Sequence, residues 1–297
     1  MNYEKTIEFY KNRSFSERLS AATDFIKQTW KVLLKNVLII GLPLALIMGY
    51  ALQSYMSALL SVQQGDVSEL LSGFAGGFAL LIVAVCIISL ILPAITGAIL
   101  IQYDKGELTE ETGWRDLQKN IFRLAGKTFK IGILLTLLLI LICGLVGGLI
   151  FAAGGQDNVA LIVLLVLLLV GGLVALAPSL SIIYFPAYYE GLSSWASIRK
   201  AIPLGFKNWG YLFVAIIIIG IISGIISNFL GVPNQFYSTT HPGEFTIVGF
   251  FLATLAGVGS VLVTPLQVIF MSFQYFAIVE RNEGNSLQSQ VDEFENM

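Results

Sequence analysis

Histidine occurs once in this chain, at His241, and cysteine twice, at Cys86 and Cys143. Metal chemistry needs several His, Cys or carboxylate ligands held together, so no metal or other cofactor is expected. Neither cysteine belongs to a CxxC or Cys/His pattern, and both fall inside apolar runs, where a free thiol behaves as a small hydrophobe. His241 stands beside Pro242 and Glu244 in a polar stretch. It reads as a solvated loop residue rather than a general base, and nothing points to an enzyme. Charge is scarce as well: Asp, Glu, Lys and Arg make up only 12% of the chain, against about a quarter in soluble proteins. A sequence pI near 5.5 and the absence of a separate basic domain argue against a nucleic-acid partner.

Apolar residues fill the space that charge leaves. They form 56% of the 297 residues, and the mean hydropathy is +0.81. Six runs contain no Asp, Glu, Lys or Arg: about 37–57, 74–102, 131–153, 159–187, 209–230 and 246–279. Each reaches the roughly 20 residues that a helix needs to cross about 30 Å of hydrocarbon. An all-α integral membrane protein with six transmembrane helices follows. Runs two, four and six are the long ones and must tilt, bend or project. No run holds an embedded ionisable group of the kind that marks proton relays and ion sites, which lowers the odds of an ion-coupled carrier.

The 17 Lys and Arg residues fall before run one, between two and three, between four and five, and after six. The three opposite loops hold none, so the positive-inside rule places both termini in the cytoplasm. About 35 mostly polar or amphipathic residues precede run one, which is expected to be a retained helix rather than a cleaved signal peptide.

Residues 1–13 form a polar lead without a motif. Ser14 and Glu17 have the spacing of a capping box, and the helix they open carries Phe15, Leu19, Ala22, Ile26, Trp30 and Leu33 on one face. Arg18, Asp24, Lys27, Lys31 and Lys35 lie mainly away from it. Such a stripe with basic flanks fits a helix lying in the membrane interface; a packed helix of an ordinary core has the same periodicity. A second amphipathic stretch begins near Thr109, expected as its cap, and carries Trp114, Leu117, Ile121 and Leu124. A third opens at Ser193-Ser194-Trp195 and carries Ile198 and Ile202, with Pro203 expected to break or kink it.

The chain therefore divides into a single membrane domain, 14–279, of three parallel repeats at about 14–103, 109–188 and 193–275, followed by an acidic cytoplasmic tail at 280–297. Each repeat holds an interfacial amphipathic helix, a short span and a long span. Ile26, Leu117 and Ile198 are equivalent, each followed by Lys35, Lys127 or Lys207. Pro93 precedes Tyr103, Pro178 precedes Tyr188 and Pro265 precedes Tyr275 by the same ten residues. These six are candidate helix-kink and interface-anchor positions, the tyrosines belonging to the interfacial aromatic belt. Gly73/Gly77, Gly144/Gly148 and Gly220/Gly224 have the GxxxG spacing that permits close helix contact; internal packing is favoured over dimerisation.

The segment 189–200, Tyr-Glu-Gly-Leu-Ser-Ser-Trp-Ala-Ser-Ile-Arg-Lys, followed by Phe206-Lys207-Asn208-Trp209, resembles a group of bacterial six-span membrane proteins. The group includes the membrane domain attached to some glycerophosphoryl diester phosphodiesterases. The resemblance implies a bacterial inner membrane. No soluble phosphodiesterase domain stands in this sequence, so no catalytic residue carries over.

Two readings of function result. The first is a non-enzymatic multispan protein that organises lipids or a partner protein at the cytoplasmic face. Lys27, Lys31, Lys35, Arg115, Lys119, Arg123, Lys127, Arg199, Lys200 and Lys207 are its candidate lipid-headgroup contacts, and membrane lipids, a protein partner or a second copy of the chain its candidate partners. The alternative is a permease or lipid transporter with an uncharged polar path through Gln53, Gln102, Gln267 and Gln274.

Overall fold

A computed structural model describes residues 3, 6–63, 75–152, 159–241 and 245–284. Among these described residues the fold is all-helical, with eight helices: α1 Phe15–Gln63, α2 Ala75–Asp104, α3 Trp114–Ala152, α4 Val159–Ser181, α5 Phe185–Tyr189, α6 Ser194–Lys207, α7 Trp209–Thr240 and α8 Ile247–Glu283. Six of these segments are long and apolar enough to cross a membrane, and we read the chain as an integral membrane protein.

Local chemistry sets most boundaries. Ser14 and Glu17 close the capping box reciprocally: the Ser14 N–H donates to Glu17 Oε2 at 2.7 Å and the Glu17 N–H to Ser14 Oγ at 3.4 Å. Ser193 caps α6 by accepting from the Ala196 N–H, and Gly284, at φ 63°, ends α8. The start of α3 differs from the expectation at Thr109. The Thr109 N–H donates to Thr112 Oγ1 within a turn, and the helix opens five residues later, where Asp116 accepts from the Gly113 N–H at 2.8 Å.

The first two amphipathic stretches are not separate helices. Phe15 to Gln63 is one 49-residue helix, about 73 Å long at 1.5 Å per residue, and α3 likewise runs unbroken from Trp114 into its apolar half. Only the third stretch is divided from its span, at Asn208, whose Nδ2 donates back to Leu204 O. Pro203 lies inside α6 without ending it. The fourth run is divided instead: α4 stops at Ser181, and α5 restarts with Pro186 in its first turn, where a missing N–H costs nothing.

Within the bundle α8 packs along α1, α7 and α2, while α4 rests on α6 and α7. The α1–α8 seam is made by small residues. A Cβ at Gly49 would lie 2.8 Å from the Thr254 backbone N, and one at Gly257 would lie 3.1 Å from Ala45 O. Such positions let backbones approach in a medium where apolar side chains gain little by leaving lipid. Gly77 serves the α1–α2 crossing, where a Cβ would lie 3.1 Å from Ala51 O. By contrast a Cβ at Gly144, Gly148, Gly220 or Gly224 would meet nothing within 4 Å, so these two GxxxG pairs make no close helix contact among the described residues. Gly73 lies outside the described residues.

Candidate functional site

The structurally specified part of the molecule is the end of the bundle that carries the cations. Its centre is an aromatic cluster seeded by the N-terminal lead. Phe9, 3% exposed, stacks on Tyr103 at 5.7 Å and on Phe276 at 4.9 Å, and meets Phe25 and Phe273 edge-on. The lead is thus docked into the bundle, through a residue whose apolar character has no helical or strand period to announce it.

Tyr103, Tyr188 and Tyr275 are all buried. They are core residues rather than members of an interfacial belt. Each hydroxyl is tied to a neighbouring element: Tyr103 donates to Gln28 Oε1 at 2.8 Å, Tyr188 pairs with Thr128 Oγ1 at 2.5 Å, and Tyr275 donates to Glu190 Oε1. A buried phenol needs such a partner. The helices run on through Pro93 and Pro265, whereas three residues separate Pro178 from the end of α4.

Two charged clusters join the helices here. Lys200 donates to Glu190 Oε2 at 2.8 Å and pairs with Glu283 Oε1 at 2.7 Å, clamping α6 to α5 and α8. Burial pulls the Lys200 ammonium down, but its hydrogen bonds to the two carboxylates and their charges outweigh burial and leave its pKa raised. Tyr10, nearby, is raised by burial and then by the charges of Glu190, Asp104 and Glu283. The second cluster surrounds Arg18. It is 3% exposed, donates to Gln274 Oε1 at 2.6 Å, and faces Tyr211, which also carries Arg281 on its ring.

Of the ten cations expected to meet headgroups, eight are exposed: Lys27, Lys31, Lys35, Arg115, Lys119, Arg123, Arg199 and Lys207. Lys200 is committed to the clamp. Lys127 is half-buried and donates to Ala187 O at 2.8 Å and Gly191 O at 3.1 Å, capping α5. Arg18 and Arg281 were legible only as cations, since their spacing marks neither a buried site nor a shared partner. Trp30, on the apolar stripe of α1, is 52% exposed, and Phe122, Trp195 and Phe206 are exposed among the cations.

Three hollows bear on function. One, of about 370 Å³, opens at the cation-bearing end and is lined in part by Lys105, Arg123, Lys127, Asp104 and Glu190. A second, of about 420 Å³, lies between α2, α4, α7 and α8 and is lined in part by Ser89, Pro93, Tyr184, Thr264 and Gln267. A third, of about 610 Å³, lies at the α6–α7 junction. The four glutamines do not share one path. Gln267 lines the second hollow and donates to Ser223 Oγ, Gln274 accepts from Arg18, Gln102 reaches Asp116 O, and Gln53 lies against Gly249 at the other end of α1.

His241 stacks on Tyr237 with ring centres 4.4 Å apart, and the described residues contain no group of His, Cys, Asp and Glu fit to hold a metal. Comparison with protein-family models, with curated proteins and with solved structures finds no match.

Proposed function

We propose that this is a non-enzymatic protein of a bacterial inner membrane whose cation-bearing end lies at the cytoplasmic surface and organises anionic lipid there. The supporting observation is the interleaving of exposed aromatics with exposed cations. Trp30 lies beside Lys27 and Lys31, Phe122 beside Lys119 and Arg123, Trp195 and Phe206 beside Arg199 and Lys207. Exposed rings seat in the headgroup region, and each cation near an anionic surface contributes on the order of 1 kcal/mol. The distribution of all Lys and Arg on one side of the spans supports cytoplasmic termini, and the likeness of 189–209 to bacterial six-span membrane domains supports the bacterial setting.

A threefold parallel repeat belongs to the same proposal, with an interfacial amphipathic portion opening each unit. It is supported by a detail beyond hydropathy. The residues following Lys35, Lys127 and Lys207 are Asn36, Thr128 and Asn208, and each donates to the carbonyl four residues back. The test is retention of phosphatidylglycerol against phosphatidylcholine after extraction from mixed nanodiscs. The wild type is expected to enrich phosphatidylglycerol, and a Lys27→Gln, Lys31→Gln, Lys119→Gln, Arg123→Gln variant to lose the enrichment. Equal enrichment by both would overturn the proposal.

The hollow between α2, α4, α7 and α8 favours a second reading, a permease or lipid transporter. Its walls carry hydroxyl and amide groups and no ionisable acid or base of the carboxylate or amine kind, which suits an uncharged polar solute. Flux of a labelled lipid or neutral solute in proteoliposomes, abolished by Gln267→Leu, is its expected signature; no flux of either would sink it.

A further inference from the structure

We infer that the α6–α7 junction is a discrete binding site for the phosphate of an anionic phospholipid, distinct from the diffuse attraction of the exposed cations. The inference deepens the lipid reading above and rests on it. The hollow of about 610 Å³ is lined by Phe15, Lys207, Asn208, Gly210, Tyr211 and Val214, a size within the ~300–1,000 Å³ of small-ligand sites.

One cation lines this hollow and two more lie against one of its walls. Lys207 lines it, and Tyr211, one of its walls, has Arg281 4.7 Å and Arg18 5.7 Å from its ring centre. Among the described residues none of the three forms an ion pair with a carboxylate. Arg18 is the telling member. It is 3% exposed, yet its side-chain hydrogen-bond partners are the neutral Gln274 amide and the Ser14 carbonyl. A buried charge without a counter-charge is costly, and a second guanidinium across the same tyrosine adds repulsion. The positive-inside distribution accounts for cations at this end of the bundle but not for one buried beside another. An anion in the hollow would supply a nearby counter-charge, since both guanidiniums lie against Tyr211 and Arg18 also against Phe15, two of its walls.

The backbone is arranged for the same charge. α7, 32 residues long, starts here with no side-chain cap, and the Asn208 Nδ2 instead donates back to Leu204 O of α6. Its first N–H groups have no intrahelical acceptor and present the positive end of the helix dipole. Gly210 lies at this start, and a Cβ there would meet nothing within 4 Å, so an oxygen can come close. The hollow at Lys105 and Arg123 lacks this bias, since Asp104 and Glu190 share it.

The walls select the source of the phosphate. Phe15, the Tyr211 ring and Val214 are apolar, with Tyr211 and Val214 each 48% exposed, and the exposed Ile217 and Ile221 extend the apolar surface along α7. A diester with acyl chains can lie along that face while its phosphate sits at the junction. A free phosphate would leave the same face uncovered.

The test is native mass spectrometry of the full chain in detergent titrated with phosphatidylglycerol, with inorganic phosphate as competitor. The wild type is expected to hold one phosphatidylglycerol saturably. Arg281→Gln with Lys207→Gln, both at exposed positions, is expected to weaken it by roughly 30-fold, whereas Lys27→Gln with Lys119→Gln leaves it within about twofold. Arg18→Gln, checked for folding by its melting transition, is expected to weaken it as well. Binding unchanged in the Arg281/Lys207 variant but lost in the Lys27/Lys119 variant would overturn the site and leave the diffuse lipid reading standing. No phosphatidylglycerol on the wild type would overturn both. Displacement of the lipid by millimolar inorganic phosphate would assign the site to the free anion and overturn the lipid assignment.

Discussion

The apolar part of α3 is more hydrophobic than that of α1, yet only 6% of its most apolar window is buried against 44% for α1. The difference lies in the side chains that face neighbours. α1 offers Gly41, Ala45 and Gly49 to α8, and the helices come into backbone contact. α3 offers Leu137, Ile140, Leu141 and Leu145 to its surroundings, each at least 59% exposed. In lipid a leucine is already solvated, so hydropathy records the solvent and small residues record the packing. The molecule is thus a tightly built frame of α1, α2, α7 and α8 closed by an aromatic hub, with α3 held chiefly on α2 and α4 on α6 and α7.

Substitutions can sharpen that contrast, and the hub comes first. Phe9→Ala should cost about 3–5 kcal/mol, read as the largest fall in detergent melting temperature, even though Phe9 lies in a segment with no regular structure. A melting temperature within a degree of wild type would mean that the lead is not docked. Leu117→Ala, at a fully buried position, should cost about 2–5 kcal/mol. Gly49→Leu should cost about 1–3 kcal/mol by forcing α1 from α8, seen as faster proteolysis of both helices.

The clamp comes next. Lys200→Gln should cost about 1 kcal/mol, since the group is half-buried and still meets water. The sign with pH follows from the raised pKa of Lys200. The stabilisation is complete below the ordinary lysine range and is lost as pH rises through the higher folded value. Stability curves of wild type and Lys200→Gln should therefore run parallel at neutral pH and converge only above about pH 10.5; convergence near neutrality would show that the ion pairs do not act. The smallest effect is expected for Leu141→Ala on α3, within about 0.5 kcal/mol. It is the same chemical change as Leu117→Ala, and equal costs for the two would erase the distinction between frame and lipid face.

The six spans and the Ser14/Glu17 capping box were legible because length, apolarity and cap spacing are local. The continuity of α1 was not, since an amphipathic stretch followed by an apolar one has the same pattern whether or not the helix bends between them. The position of the three tyrosines was lost for a related reason: ten residues after a proline is the depth of an interfacial belt and equally of a core end. Arg18 looked like part of the polar face, and only its apposition to Gln274, 256 residues away, reveals that α8 covers it. Glycine spacing marked Gly144/Gly148 and Gly220/Gly224, whereas the close seam uses Gly49 and Gly257, where the partner across the interface is distant in sequence.

A lipid-organising role at the cytoplasmic surface requires the cation-bearing end to lie on that side of the membrane. Lys119→Cys, in a chain with Cys86 and Cys143 changed to Ser, tests it with a membrane-impermeant maleimide on a bacterial host. A cytoplasmic position gives no labelling in intact spheroplasts and full labelling in inverted membrane vesicles; labelling in intact spheroplasts would place this end outside and overturn the proposed function.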